Sequence, residues 1–149
     1  MSNKILSLIN LFMTNLPVFI IIMLYIIKKY QLLFTLLFIV IIVEIIKYMS
    51  NFLPKNSYFY KISRRPKSNA NCGLICYKKL AKLDDPGFPS GHTTFMTFFV
   101  LCLPDSFEYN LLKIILVGLT SFNRISTQCH TSLQVLFGII FAFVMRILL

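Results

Sequence analysis

The chain contains only two histidines, and each opens an apolar segment beside residues suited to holding an anion. His92 lies in Phe88-Pro89-Ser90-Gly91-His92-Thr93-Thr94-Phe95, where Pro89 stops any preceding helix and Ser90 is a good N-cap for the next. Such a start points unpaired backbone N–H groups and the positive end of the helix dipole at whatever sits above Ser90-Gly91, and Gly91 lets that ligand come close. The result is an anion cradle with an imidazole attached. His130 opens the last apolar segment six residues after Arg124, and Gln134 follows His130 by four, the spacing that lets its amide hydrogen-bond the ring from the same helix face. Arg65-Pro66 adds a guanidinium suited to bidentate contact with phosphate oxygens.

The elements that must carry these residues are apolar helices. Of 149 residues, 57% are hydrophobic, and 15 Lys+Arg stand against 5 Asp+Glu for a formal charge of +10. A basic nucleic-acid-binding domain spreads its charge over a polar surface and a disordered basic tail lacks apolar mass, so neither class fits, and no nucleic-acid partner is expected. Apolar blocks predict helices over about 5–27, 31–49, 90–104, 110–123 and 130–149, with an irregular loop over 50–89 marked by Pro54, Pro66, Pro86, Pro89, Gly73 and Gly87. The third and fourth of these enclose only a short apolar run each, Thr93 to Leu103 and Leu111 to Phe122, so this middle pair either gains flanking residues or sits buried among the longer helices. The first block is too long for a signal peptide and shows no small-residue cleavage site before Lys28-Lys29, so it is read as a retained helix. The expectation is an all-α, polytopic membrane helix bundle of about five helices forming one domain over 1–149.

Threading five helices through a bilayer puts Arg65, Ser90-Gly91-His92 and Arg124 to His130 on the same side. That side also carries Lys55, Lys61, Arg64, Lys67, Lys78, Lys79 and Lys82, whereas Asp105 and Glu108 lie opposite. Topology alone accounts for much of this bias through the positive-inside rule, which favours a cytoplasmic loop. Cys72 and Cys76 are placed to pair if the loop faces an oxidising compartment, and Cys102 reads as helix packing. A zinc site from Cys72, Cys76, Cys129 and His130 matches no common spacing, so no metal and no other cofactor is expected. Glu44, a carboxylate inside a helix, calls for a partner such as Lys47 or a site arginine.

Pro89-Ser90-Gly91-His92, with the Arg124 to His130 spacing downstream, resembles the type 2 phosphatidic acid phosphatase (PAP2) superfamily. Its pattern is a lysine followed by Arg-Pro, then Pro-Ser-Gly-His, then Ser-Arg, five residues, His, three residues and Asp. The resemblance runs from about Glu44 to the end and implies a metal-free phosphomonoesterase: His130 as nucleophile forming a phosphohistidine, His92 as the acid that protonates the leaving oxygen, and Lys47, Arg65, Ser90, Gly91 and Arg124 on the phosphate. A lipid phosphate in a multi-pass integral membrane protein is the substrate this implies. The chain departs from the pattern at three places. Asn123 stands where the family has serine, and Gln134 stands where it has the aspartate that orients the imidazole and stabilises its cation. Tyr58 occupies the position of the motif lysine, for which Lys47 is the favoured substitute and Lys61 the alternative. Asp84, Asp85 or Glu44 are the candidates to supply the missing carboxylate. The same residues also suit a weakened or inactive relative that binds phospholipid headgroups, or a lipid phosphotransferase.

Overall fold

In a computed structural model of the chain, which describes residues 3–66, 72 and 85–149, the secondary structure is helical apart from one isolated bridge between Arg64 and Pro86. Six helices run in order: α1 (Asn3–Ile26), α2 (Tyr30–Met49), α3 (Tyr58–Ser63), α4 (Gly91–Leu101), α5 (Phe107–Ser126) and α6 (Ser132–Leu148). The five long ones correspond to the five expected from hydropathy. The short α3 and a 3-10 turn over Ser50–Phe52 are additions within the stretch expected to be irregular. Both are local events that hydropathy does not register: Ser57 caps α3 by accepting from the Tyr60 N–H, and the Ser50 turn continues α2.

The middle pair resolves in two different ways. α4 ends at Leu101, short of the expected 104, because the chain turns at Cys102; its 11 residues, about 16 Å long at a rise of about 1.5 Å per residue, are buried from Thr93 to Val100 at the centre of the bundle. α5 gains a turn at each end and reaches 20 residues, with Ser106 as its N-cap. α4 packs against α2, α5 and α6, and Phe95, Met96, Phe98 and Phe99 from α4 meet Leu33, Leu36 and Ile39 of α2 and Ala142 and Met145 of α6. Past the end of α4, a cavity of about 460 Å³ is lined by Phe98 and Cys102 and by Lys28, Lys29 and Arg146, at the opposite end of the bundle from the histidines.

The exterior is apolar, and the interior holds polar side chains beside its apolar core. Phe12, Phe19, Phe34, Phe38, Ile41, Ile114, Phe122 and Ile147 are exposed, whereas Thr14, Asn15, Lys47, Thr97, Thr120, Asn123, Arg124 and Gln134 are buried. An apolar exterior of this extent suits a hydrocarbon solvent. Among the described residues, the stretch Tyr30–Phe52 is the one helix long and apolar enough to cross a membrane; Asn10–Ile26 and Ser132–Leu148 are shorter apolar helices.

Two helix ends turn on residues with positive φ. At Lys28 (φ 57°) and Gln128 (φ 55°) the chain closes α1 and α5 with paired bonds, Lys29 N–H to Leu24 O and Lys28 N–H to Tyr25 O in the first, Cys129 N–H to Arg124 O and Gln128 N–H to Ile125 O in the second. The second turn folds Cys129 and His130 back over Arg124. α4 and α6 approach closely at Gly138, where a Cβ would lie 2.9 Å from the Ser90 carbonyl oxygen and 3.1 Å from Thr94 Oγ1. Gly118 in α5 faces open space. Gly138→Ala should therefore lower stability by about 1–3 kcal/mol, because the α4 backbone must move, whereas Gly118→Ala should raise it by about 0.5–1 kcal/mol. Unfolding of the detergent-solubilised protein measures both.

Candidate active site

The last turn of α2 brings Lys47 into the interior. It is 8% exposed and ion-paired to Glu44 one turn earlier, the pairing that the sequence pattern asks of this carboxylate. Its Nζ lies 3.2 Å from where a Cβ on Gly91 would be, so it stands over the start of α4, and a side chain at position 91 would crowd it. Lys61, the alternative lysine, is exposed on α3. The two adjacent arginines divide. Arg64 turns away: its guanidinium donates to the Ser50 carbonyl and to Asn51 Oδ1 and stacks 4.0 Å over the Tyr60 ring, which ties α3 to the end of α2. Arg65 turns inward, with its N–H on the Asp85 carbonyl and its Nε on the Pro86 carbonyl at 3.3 Å. Burial pulls the Arg65 guanidinium below its usual pKa, against the opposing attraction of Asp85 and Glu44.

Ser90 occupies the N-cap position of α4, as its place before Gly91 suggests, but its hydroxyl contacts Thr93 Oγ1 at 3.0 Å and makes no capping bond to the helix's own N–H groups. Ser90 is fully buried and its N–H donates to the Gln134 carbonyl, which joins the start of α4 to α6. His92, one residue into the helix, places Nε2 2.9 Å from the main-chain carbonyl of Thr14 in α1. A carbonyl only accepts, so Nε2 carries the proton and Nδ1 is the nitrogen left for exchange with a ligand.

Around His130 the structure departs from a simple helical spacing. α6 begins at Ser132, with Thr131 as N-cap, and not at His130. His130 therefore sits in the connection, 2% exposed, with Nδ1 2.9 Å from the Gly87 carbonyl and 3.2 Å from Gln134 Oε1. Nδ1 donates to these acceptors and the lone pair lies on Nε2. The Gln134 amide is engaged at both ends: Oε1 also accepts from the Thr131 N–H, and Nε2 donates to the Ile62 carbonyl at 2.9 Å and the Arg64 carbonyl at 2.7 Å. These two carbonyls fix which end of the amide is nitrogen. Gly87 is small of necessity, because a Cβ there would lie 2.7 Å from Arg65 Cγ and 2.8 Å from Gln134 Oε1.

Burial holds the His130 imidazole well below the usual histidine range, helped by the positive charges of Arg65, Arg124 and Lys47 and then by His92. His130, His92, Lys47, Arg65 and Arg124 are thus within electrostatic reach of one another. Among the described residues, no carboxylate acts on the ring. The expected substitutes do other things: Glu44 pairs with Lys47 and Asp85 attracts Arg65, while Asp84 lies outside the described residues. The Gly87 carbonyl takes up the orienting role instead.

Arg124 is 1% exposed at the end of α5, its Nη2 on the Cys72 carbonyl at 3.1 Å and its Nη1 3.4 Å from Thr14 Oγ1. A model of the PAP2 superfamily matches residues 28–149. The chain belongs to the PAP2 superfamily. No curated protein and no solved structure matches it. PAP2 superfamily members are generally phosphatases and often membrane proteins, so phosphatase-type chemistry is the activity that membership brings.

The PAP2 motif positions therefore converge at one end of the bundle, and α1 joins them although it lies outside the matched residues. Hydropathy assigns α1 no more than an apolar helix, yet Thr14 touches both His92 and Arg124, and Asn10 Oδ1 accepts from Asn123 Nδ2 at 2.6 Å. Asn123, in the place of the family serine, therefore spends this donor on α1 and not on a ligand. The polar residues of α1, Asn10, Thr14 and Asn15, were the available signal. The cysteine pairing also differs from expectation. Cys72 is bonded to Cys129 and not to Cys76, because the packing brings residue 72 against the connection between α5 and α6. Cys76, with Lys67, Lys78, Lys79 and Lys82, lies outside the described residues.

Two outcomes test this site. Gln134→Asp shortens the side chain and removes both donors to the Ile62 and Arg64 carbonyls. It should lower stability by about 1–3 kcal/mol and fail to raise turnover, as unfolding and activity assays on the same preparation will show. The lowered pKa of His130 means that, below about pH 6.5, the unfolded chain binds its proton before the folded chain does. Its contribution to stability is present above that pH and is lost as pH falls toward the lower folded value. Unfolding midpoints should drop as pH falls through this window, with a shallower slope in His130→Gln.

Proposed function

We propose that the protein is a lipid phosphate phosphatase that hydrolyses a phosphomonoester, of the phosphatidic acid or isoprenoid phosphate kind, through a phosphohistidine at His130. The observation that carries this reading is the His130 ring itself. With Nδ1–H on the Gly87 carbonyl, its Nε2 lone pair is available in the field of Lys47, Arg65 and Arg124. A neutral imidazole is the nucleophilic form, and the cations that oppose its protonation are the ones that would hold the phosphate.

In the first step Nε2 attacks phosphorus, the bond from phosphorus to the lipid oxygen breaks, and that oxygen takes a proton from Nδ1 of His92. The Thr14 carbonyl keeps its hold on the Nε2 proton throughout. Arrival of a phosphate dianion supplies the negative charge that favours a protonated His92 among so many cations. In the second step water attacks the phosphohistidine, returns a proton to His92 Nδ1 and releases inorganic phosphate. Lys47, Arg65, Arg124, the Ser90 hydroxyl and the Gly91 N–H stabilise the charge on the equatorial oxygens, so no step calls for a metal.

The apolar exterior favours a multi-pass membrane protein, and a site at the end of such a bundle suits a headgroup whose tail remains in the bilayer. Gln134 favours a second reading, a relative that binds headgroups without turnover, because a neutral amide gives less support to an imidazolium than a carboxylate would. A phosphotransferase differs from the phosphatase only in the acceptor of the second step. Purified protein in mixed micelles should release phosphate from phosphatidic, lysophosphatidic or isoprenoid phosphates in the presence of a chelator, be inhibited by vanadate, and lose at least about a thousandfold in rate in His130→Ala. Metal dependence, or full activity in His130→Ala, overturns the mechanism. Headgroup binding without turnover favours the binding reading, and transfer to an added alcohol favours the phosphotransferase.

A further inference from the structure

The disulfide between Cys72 and Cys129 spans 57 positions and lies inside the site region, directly before His130. Cys129 is fully buried and Cys72 is 6% exposed. The bridge links two parts that both hold Arg124. The N–H groups of Cys129 and His130 each donate to the Arg124 carbonyl at 3.1 Å, and the Cys72 carbonyl accepts from Arg124 Nη2 at 3.1 Å. With Nη1 toward Thr14 Oγ1, the guanidinium has two of its nitrogens held by protein, while Nε is buried without a hydrogen-bond partner among the described residues. A buried N–H of this kind is a donor awaiting an anion.

We propose that the Cys72–Cys129 disulfide is a positioning element of the catalytic centre. It keeps the Cys72 carbonyl on Arg124 and so fixes the guanidinium with its unused N–H donors, Nε among them, left for the phosphate. A dithiol reductant that converts the bridge to two thiols, and is itself oxidised to a disulfide, turns the site down by weakening its grip on phosphate. The main-chain link from Cys129 to His130 makes the same bridge a constraint on the nucleophile. It follows that the catalytic face works in an oxidising compartment, since a disulfide of this kind does not persist where thiols are kept reduced.

The turnover readout rests on the phosphatase reading, so phosphate affinity is measured beside it. The full chain, in detergent, is compared in its oxidised form, after dithiothreitol treatment with thiols counted by alkylation and mass spectrometry, and as Cys72→Ser, Cys129→Ser and Cys102→Ser. Helicity and elution volume establish that each form is folded. Reduction is expected to raise KM for a lipid phosphate, and the inhibition constant for vanadate, about tenfold or more, with a smaller change in kcat. Cys72→Ser should show this loss without reductant and be indifferent to it, and Cys102→Ser should behave as the unmodified chain. Should the serine variants not fold, the reduced natural chain carries the test alone. Equal KM and vanadate inhibition in oxidised and folded reduced forms would overturn the proposal, as would free thiols at Cys72 and Cys129 in protein made under oxidising conditions. If the oxidised chain releases no phosphate at all, the phosphatase reading fails. Stabilisation by inorganic phosphate, followed by thermal shift, then decides the inference separately: a weaker effect after reduction supports it, and an equal effect overturns it.

Discussion

Three cations held together at one end of the bundle, Lys47 and Arg124 buried and Arg65 half-buried, are the constraint on which the rest of this structure depends. Lys47, Arg65 and Arg124 all act on His130, while the carboxylates Glu44 and Asp85 offset the lysine and Arg65. Like charges taken from water repel one another strongly unless each is hydrogen-bonded and partly neutralised. Lys47 has Glu44, Arg65 has the Pro86 carbonyl and Arg124 has the Cys72 carbonyl. What remains uncompensated is a positive field at the N-terminus of α4, where the helix dipole adds to it. A doubly charged phosphate is the natural complement of such a field, and this links the architecture to the chemistry of the PAP2 superfamily.

A single neutral side chain organises the other half of the site. Gln134 joins α6 to the end of α3 through the Ile62 and Arg64 carbonyls, closes the N-terminal box of α6 with Thr131, and touches His130 Nδ1. A carboxylate in this place would face two carbonyl oxygens that need donors. The amide therefore fits its surroundings, and Gly87 completes it by bringing a main-chain acceptor to the same ring nitrogen. His130 is oriented by dipoles and not by a full negative charge, which keeps its neutral form favoured among the cations. Gln134 is thus engaged at both ends of its amide, by the ring and the Thr131 N–H on one side and by two main-chain carbonyls on the other.

The interior polarity explains why α1 matters. Buried Thr14 and Asn15, with half-buried Asn10, are costly on a helix whose other face is apolar unless partners receive them. Pro17, three residues after Thr14, removes the N–H that would bond the Met13 carbonyl and so loosens the ladder next to the carbonyl that His92 uses. A helix apolar enough to be taken for a simple membrane segment contributes contacts to His92 and to Arg124.

The five long helices were legible in the chain, because apolar runs bounded by Pro, Gly and charged residues carry their own signal. So were the motif residues Ser90, Gly91, His92, Arg124 and His130, whose spacing is local, and the Lys47–Glu44 pair, which is three residues apart on one helix. What tertiary structure alone decided is every contact between residues far apart in sequence: Arg64 on the Ser50 carbonyl, the Gly87 carbonyl on His130, Thr14 on His92, and Cys129 as the partner of Cys72 across 57 positions. Backbone carbonyls leave no mark in a sequence, since every residue has one. A disulfide partner depends on which loops the packing brings together. Local spacing named the chemical groups of this site, and only the packing of α1, α4 and α6 determined what each of them holds.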